Sequence, residues 1–346
     1  MTTPILSIRN LTVDIPTRHG ILRPVDNVSY DIAAGEILGV VGESGAGKSM
    51  AGNAVIGLLS PPAHIASGEI HLNGTRIDHL TGDAMRRLRG KQIGMVFQDP
   101  LTSLNPLLRI GDQLTETMLA HLDIPASEAR KRAIAALDEV GIPGAAGRVD
   151  SYPHEFSGGM RQRVVIALAL CAEPSLIIAD EPTTALDVSV QAQIIALLKR
   201  LCRDRGTAVM LITHDMGVIA EACDRVAVMY AGKLVELGPV RDVLTAPLHP
   251  YTDGLMGSTP LASRGKSRLH QIPGAMPRLD ALPQGCAFHP RCPRAAERCR
   301  ADPPPRIEDG AGRAACFFPI DRVEVACWPL SASAILPVSS TSPNPG

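Results

Sequence analysis

The chain is punctuated by short, almost purely apolar runs at positions 37–41, 93–96, 176–179, 208–213 and 226–229, each bounded by turn or helix signals. Runs this short are strand-length, and apolar character on both faces is what a strand buried inside a parallel sheet requires. Helical patterns lie between most of them, which predicts an α/β fold with a largely parallel sheet. Between 112 and 172 the strand pattern stops. There Ser127 opens a helix with Ala129, Ala133, Leu137 and Val140 on one face and Gly141 as its stop, so an all-helical insert inside the α/β domain is expected. From about Leu255 the texture turns to Pro, Gly, Arg and Cys, with Asp302-Pro-Pro-Pro-Arg306 and a Ser/Pro tail after Leu330. The expected organisation is an α/β domain over 1–255 with a helical subdomain at about 99–172, a Cys-rich module over 256–330, and a poorly ordered tail over 331–346. No repeat recurs at a fixed period.

Composition narrows the classes. Of 346 residues 45% are hydrophobic and 20% charged, which suits a core-forming chain and excludes a disordered or fibrous one. Lys plus Arg total 34 against 35 for Asp plus Glu, so no basic excess recommends a nucleic-acid partner, and none is expected. The opening residues lack the basic start and apolar run of a secretory signal, which predicts a cytosolic protein. The uncharged stretches 49–68 and 325–346 are interrupted by Pro61-Pro62 and by four prolines respectively. Neither could form a spanning helix of about 20 apolar residues, so membrane association would have to come through a partner. Phe288, Phe317, Phe318 and Trp328 fall late, as do five of the eight cysteines.

Chemistry enters at Gly42-Glu43-Ser44-Gly45-Ala46-Gly47-Lys48-Ser49, between the first apolar run and a helical pattern. Small residues there let backbone N–H groups turn onto phosphate oxygens, reinforced by the helix N-terminus. Lys48 would face the β- and γ-phosphates of ATP, and the Ser49 hydroxyl would ligate Mg²⁺. The alternative, a glycine-rich turn with a solvated lysine, lacks a reason for this context. The run 176–179 delivers Asp180 and Glu181 at its end, the first suited to hold Mg²⁺ and the second to polarise an attacking water; otherwise they merely cap the loop that follows.

Phe156-Ser157-Gly158-Gly159-Met160-Arg161-Gln162-Arg163 resembles the signature of ATP-binding cassette (ABC) ATPases, and Gln98, the Ala185-Leu186-Asp187 turn and His214 fall where that family has its other motifs. Ser157, Gly158 and Gly159 open a predicted helix, an anion site by its free N–H groups. The resemblance implies that this site closes on ATP held by a second ATPase subunit. It also implies Glu181 as general base, His214 and Asp187 at the nucleotide, and Gln98 at Mg²⁺ or the lytic water. The family's usual adenine-stacking aromatic is missing from Asp14 to Gly20, leaving His19 or Arg18 as substitutes.

Asp99-Pro100 through Asn105-Pro106, Pro153-His154-Glu155-Phe156, His249-Pro250-Tyr251-Thr252 and Gly285-Cys286 through Cys292-Pro293 resemble the ATPase subunits of bacterial dipeptide and oligopeptide importers, a branch that also serves nickel and glutathione. The partners this implies are a second ATPase subunit, typically a paralogue, two transmembrane permease subunits and an extracytoplasmic substrate-binding protein, with the chain peripheral on the cytoplasmic face of the inner membrane. Cys286, Cys292, Cys299 and Cys316 are separated by five, six and sixteen residues. Clustered thiols in a cytosolic chain suggest metal before disulfides. The resemblance favours a [4Fe-4S] cluster, with structural Zn²⁺ or unliganded thiols as alternatives and Cys327 or His289 as rival ligands. Such a module would bury little apolar surface and could draw folding energy from the metal. Cys171, Cys202 and Cys223 read as core. Two other classes compete: a soluble iron-sulfur ABC ATPase acting on ribosomes or nucleic acid, which has two cassettes where this chain has one, and a regulatory module without turnover, which Lys48, Asp180, Glu181 and His214 argue against.

Overall fold

The computed structural model describes residues 3–183, 186–258, 271–309 and 312–320. Its strands are β1 (Leu6–Thr17), β2 (Gly20–Ile32), β3 (Ile37–Val41), β4 (His64–Leu72), β5 (Thr75–Arg76), β6 (Ile93–Val96), β7 (Leu176–Asp180), β8 (Ala208–Ile212), β9 (Arg225–Tyr230), β10 (Lys233–Pro239), β11 (Arg306–Asp309) and β12 (Gly312–Ala315). The five apolar runs are β3, β6, β7, β8 and β9, and they lie parallel in the order β9-β3-β8-β7-β6. Alternation explains why each run is apolar throughout. Along β8, Val209 and Leu211 enter the core on one face of the sheet, while Ala208, Met210 and Ile212 enter the core on the other. β7 divides in the same way, Ile177 and Ala179 against Leu176 and Ile178. A strand sandwiched on both faces has no position for a polar side chain until it ends.

One of those faces is covered by an antiparallel sheet, order β2-β1-β4-β5, that the sequence pattern did not announce. Its inward residues Leu6, Ile8, Val28 and Tyr30 pack with Leu38, Val40 and Met210. The alternation along β1 is broken by bulges between Ile8 and Leu11, Leu11 and Val13, and Val13 and Ile15, with Asn10 at φ 49°. Each bulge slips the two-residue period by one and so hides the strand. The opposite face carries the helical insert. Its helices Ile110–His121, Ala126–Glu139 and Gly158–Leu170 bury Leu114, Met118, Ala129, Ala133, Leu137 and Val164 in one core. The second of them starts at Ala126 after a Pro125 cap, one residue before the predicted Ser127, and Gly141 lies just past its end at φ 77°.

The cysteine-bearing residues are tied to the large sheet. β12 pairs antiparallel with β10, Glu236 opposite Ala314 and Leu237 opposite Arg313, so β11 and β12 extend the same sheet at one edge. Phe288 is 2% exposed and meets Tyr230 and Tyr251 edge-on at centroid distances of 5.3 and 5.4 Å. The module therefore shares an apolar core with the nucleotide domain, where little apolar burial was expected of it. Cys171 and Cys202 are buried in helical packing and Cys223 packs against it, as expected. Cys327, Trp328 and the tail 331–346 lie outside the described residues.

Where the helix Pro250–Gly257 begins, buried Glu236 of β10 accepts the N–H groups of Leu248 and His249 at 2.8 and 2.9 Å. His249 Nδ1 in turn accepts the Tyr251 N–H at 3.1 Å, capping the helix. Burial pulls the His249 pKa from its ordinary 6.5 down to about 4. An unfolded chain takes up a proton here at pH values where the folded chain refuses it. Stability is thus full above about pH 6.5 and declines as the pH falls towards 4, by on the order of 3 kcal/mol. His249→Asn keeps a capping acceptor and removes the titration, so melting temperature measured across this window should lose much of its slope; an unchanged slope would place the acid sensitivity elsewhere.

Candidate active site

The loop from Gly42 to Gly47 joins β3 to the helix Lys48–Val55. Its backbone lies so close to its neighbours that glycine is obligatory at both ends. A Cβ on Gly42 (φ 152°) would meet the Met229 carbonyl oxygen, and one on Gly47 (φ 100°) the Pro24 carbonyl oxygen, each far inside contact distance. Lys48 is 6% exposed and turns back over the loop, its Nζ donating to the carbonyls of Gly42 at 2.8 Å and Glu43 at 3.0 Å. Burial lowers its pKa, opposed by the nearby carboxylates of Glu181, Asp180 and Glu43. The loop is thus a ring of backbone with a cation inside it, the arrangement an anionic phosphate chain requires.

Three strand ends supply the rest. Asp180 closes β7 and accepts a hydrogen bond from Ser49 Oγ at 3.1 Å. Burial raises its pKa, the Ser49 bond lowers it, Glu181 raises it and Lys48 lowers it. Glu181 sits in the left-handed region at φ 48°, fixed by its N–H donating to the Ile212 carbonyl of β8 at 2.8 Å. A non-glycine residue held there is strained, and such strain gathers at functional sites. Gln98, two residues past β6, donates Nε2 to Glu181 Oε2 at 3.0 Å. His214, two residues past β8, brings Nδ1 within 3.1 Å of Glu181 Oε1. Since a carboxylate only accepts, Nδ1 carries the proton. Glu181 is thereby gripped at both oxygens. The Ser49 hydroxyl, the Asp180 carboxylate and the Gln98 amide are oxygen donors of the kind Mg²⁺ takes, and the raised pKa of Asp180 marks a negative charge that a divalent cation would relieve. This donor set fits the ion.

Ser157 caps the helix Gly158–Leu170, its Oγ accepting from the Met160 N–H at 3.4 Å. Ser157 and Gly158 are exposed, while a Cβ on Gly159 would strike Val190 at 2.7 Å. Asp187 is a cap as well: it accepts from the Val190 N–H at 2.9 Å and the Ser189 hydroxyl at 2.7 Å, and the Ser189 bond leads the causes that lower its pKa. Arg18 and His19 form the exposed turn between β1 and β2.

Cys286, Cys292, Cys299 and Cys316 are free thiols lining one cavity. The Cys286 N–H donates to the Cys299 carbonyl at 2.8 Å, which draws those two segments together. Burial raises the pKa of Cys286 and Cys292, and takes Cys316 to about 11. Yet among the described residues no group of three or more His, Cys, Asp or Glu side chains is arranged to hold a metal ion. The sequence expectation of a four-thiolate site is met in grouping and not in ligating geometry.

Comparison with known proteins agrees with this arrangement. Residues 25–184 match the ABC transporter family and residues 235–299 match the oligopeptide/dipeptide transporter C-terminal region. The oligopeptide transport ATP-binding protein OppD of Salmonella typhimurium is 46% identical over 319 residues, 92% of this chain and 95% of that protein. The chain belongs to the ABC transporter family. The dipeptide transport ATP-binding protein DppD of Bacillus subtilis is 46% identical over 324 residues, 93% of this chain and 97% of that protein. Among solved structures, the post-hydrolysis dimer of the ATP-binding cassette MJ0796 bound to ADP and Pi superposes with a TM-score of 0.62 at 29% identity, covering 68% of this chain and 99% of that one.

Membership of the ABC family makes the chain an ATPase, and within the described residues no helix is long and apolar enough to cross a membrane. The relatives give no support to a soluble iron-sulfur ATPase of ribosomes or nucleic acid. Two residues at this ABC site escaped the sequence reading. Asp215 accepts from the Gly217 N–H at 2.7 Å and from Gln191 Nε2 at 3.2 Å, starting a helix just behind His214; an aspartate before a helical run was a legible signal. Arg291 reaches Glu43 of the loop across 248 positions, which no local pattern could reveal.

Proposed function

We propose that the chain is the energy-coupling ATPase of a dipeptide or oligopeptide importer. The observation that carries this is Glu181 gripped between Gln98 and His214, beside the Ser49–Asp180 pair and Lys48. ATP would lie along the loop Gly42, Glu43, Ser44, Gly45, Ala46 and Gly47, with Lys48 leaving the Gly42 and Glu43 carbonyls for the phosphates. Ser49, Asp180 and Gln98 would hold Mg²⁺, which supplies charge neutralisation at the phosphates. Glu181 takes the proton of the attacking water, and Gln98 and His214 keep its oxygens aimed. His214 also contacts the γ-phosphate. Arg18 or His19 serves the adenine.

Ser157, Gly158 and Gly159, at a helix start, together with Asp187, meet the nucleotide of a second ATPase subunit, a paralogue, as two chains close. The dimeric form of the cassette MJ0796 supports that assembly. Residues 1–255 are the nucleotide-binding unit, whose helical subdomain at about 99–172 passes the motion to two permease subunits. Substrate arrives from an extracytoplasmic binding protein, and the chain works peripherally at the cytoplasmic face of the inner membrane. Peptide is favoured over nickel or glutathione by the names of the relatives, oligopeptide and dipeptide transport proteins. The Cys-rich module, 256–330, carries Cys286, Cys292, Cys299 and Cys316 as the donor set for a [4Fe-4S] cluster. Four free thiols on one cavity support that reading.

Glu181→Gln is nearly isosteric, keeps one of the two acceptor oxygens that Gln98 and His214 donate to, and removes the base. Phosphate release should fall by on the order of 10²–10⁴-fold while ATP remains bound in a closed dimer on size exclusion; turnover near the parent rate would remove Glu181 from this role. Ser157→Ala should impair hydrolysis at the partner's nucleotide, so a complex carrying one altered subunit that turns over like the parent would count against shared sites. Anaerobic purification should yield a brown protein containing iron and acid-labile sulfide, whereas stoichiometric zinc without sulfide would assign the thiols to Zn²⁺.

A further inference from the structure

The phosphate loop carries a carboxylate of its own, Glu43, where a polyanion is to bind. Arg291, next to Cys292 in the carboxy-terminal module, meets it: one guanidinium nitrogen donates to both Glu43 oxygens, at 3.0 and 3.1 Å. The same nitrogen donates to the Tyr230 hydroxyl at 3.3 Å, and Arg291 Nε donates to the Pro273 carbonyl at 2.9 Å. The Arg291 side chain is only 7% exposed, its guanidinium carbon 5.8 Å from the Tyr230 ring centre. The Glu43 backbone is held too, because its N–H donates to the Tyr251 hydroxyl at 3.0 Å. Met276, from the same carboxy-terminal part of the chain, covers Gly45 so closely that a Cβ there would lie 3.3 Å from its methyl carbon.

A salt bridge on the surface would be of small consequence. This one is different in placement: a nearly buried cation, also bonded to the Tyr230 hydroxyl and the Pro273 carbonyl, closing on the one acidic residue of the phosphate loop. We infer that Arg291 is a positioning residue of the ATP site, cancelling the Glu43 charge and fixing the loop, so that the folded state of the Cys-rich module and ATP affinity are linked. Without Arg291, the Glu43 carboxylate stands unpaired beside the phosphates and repels them. With Glu43 neutral, that repulsion disappears even though the brace is gone. Linkage also runs in reverse, since whatever the module does for ATP binding, ATP must do for the module.

The test uses the full chain. Arg291→Met keeps an aliphatic stem beside Gly274 and removes the charge; the KM for ATP should rise by on the order of tenfold, with kcat changing much less. Adding Glu43→Gln in the same chain should bring KM most of the way back. A KM for Arg291→Met within about twofold of the parent, or a double variant as weak as the single, would overturn the charge-cancelling role. A second measurement needs no variant: amide hydrogen exchange across residues 287–292 in the unaltered chain, with and without saturating ATP. Slower exchange with ATP is expected, and identical exchange would overturn the linkage.

Discussion

All the chemistry of this protein depends on strands that admit no polar side chain until they end. β3, β6, β7 and β8 are packed on both faces, so the first polar residues each can offer appear beyond its carboxy-terminal edge or at its last position. That confinement puts the phosphate loop, Gln98, Asp180 with Glu181, and His214 along a single edge without any of them being close in sequence. Parallel strands end on the same side, so four unrelated segments meet there by topology alone. The apolar interior thus does more than stabilise: it forces the charges to collect.

The same confinement explains how much could be read beforehand. Continuous apolar runs are legible because two-sided burial leaves a strict mark on composition, and β3, β6, β7, β8 and β9 all carry it. The antiparallel sheet was not, since Asn10 and the bulges of β1 disturb the alternation that would have shown it. Within the site, Lys48, Asp180 and Glu181 could be named from local motifs. Their hydrogen bonds could not: the grip of Gln98 and His214 on Glu181 spans 83 and 33 positions. Arg291 was invisible for the same reason, as an arginine beside a cysteine reads only as part of a cysteine motif.

The thiols show where spacing stops short in a different way. Their sequence intervals say that they belong together, and a common cavity agrees. Intervals carry no information about whether buried thiols are ionised. Burial raises the pKa of Cys286, Cys292 and Cys316, which favours their protonated form. Grouping is a property of the fold, whereas convergence needs a charge to converge upon.

The pairing of β12 with β10 has a consequence for what the chain can lose. Because the carboxy-terminal module supplies the next strand of the large sheet, it also covers a row of backbone donors and acceptors on β10. A chain cut before that module would be left with an open, ready-made edge, and an open edge recruits strands from other molecules. The module therefore shields the nucleotide domain from self-association, whatever else its cysteines do.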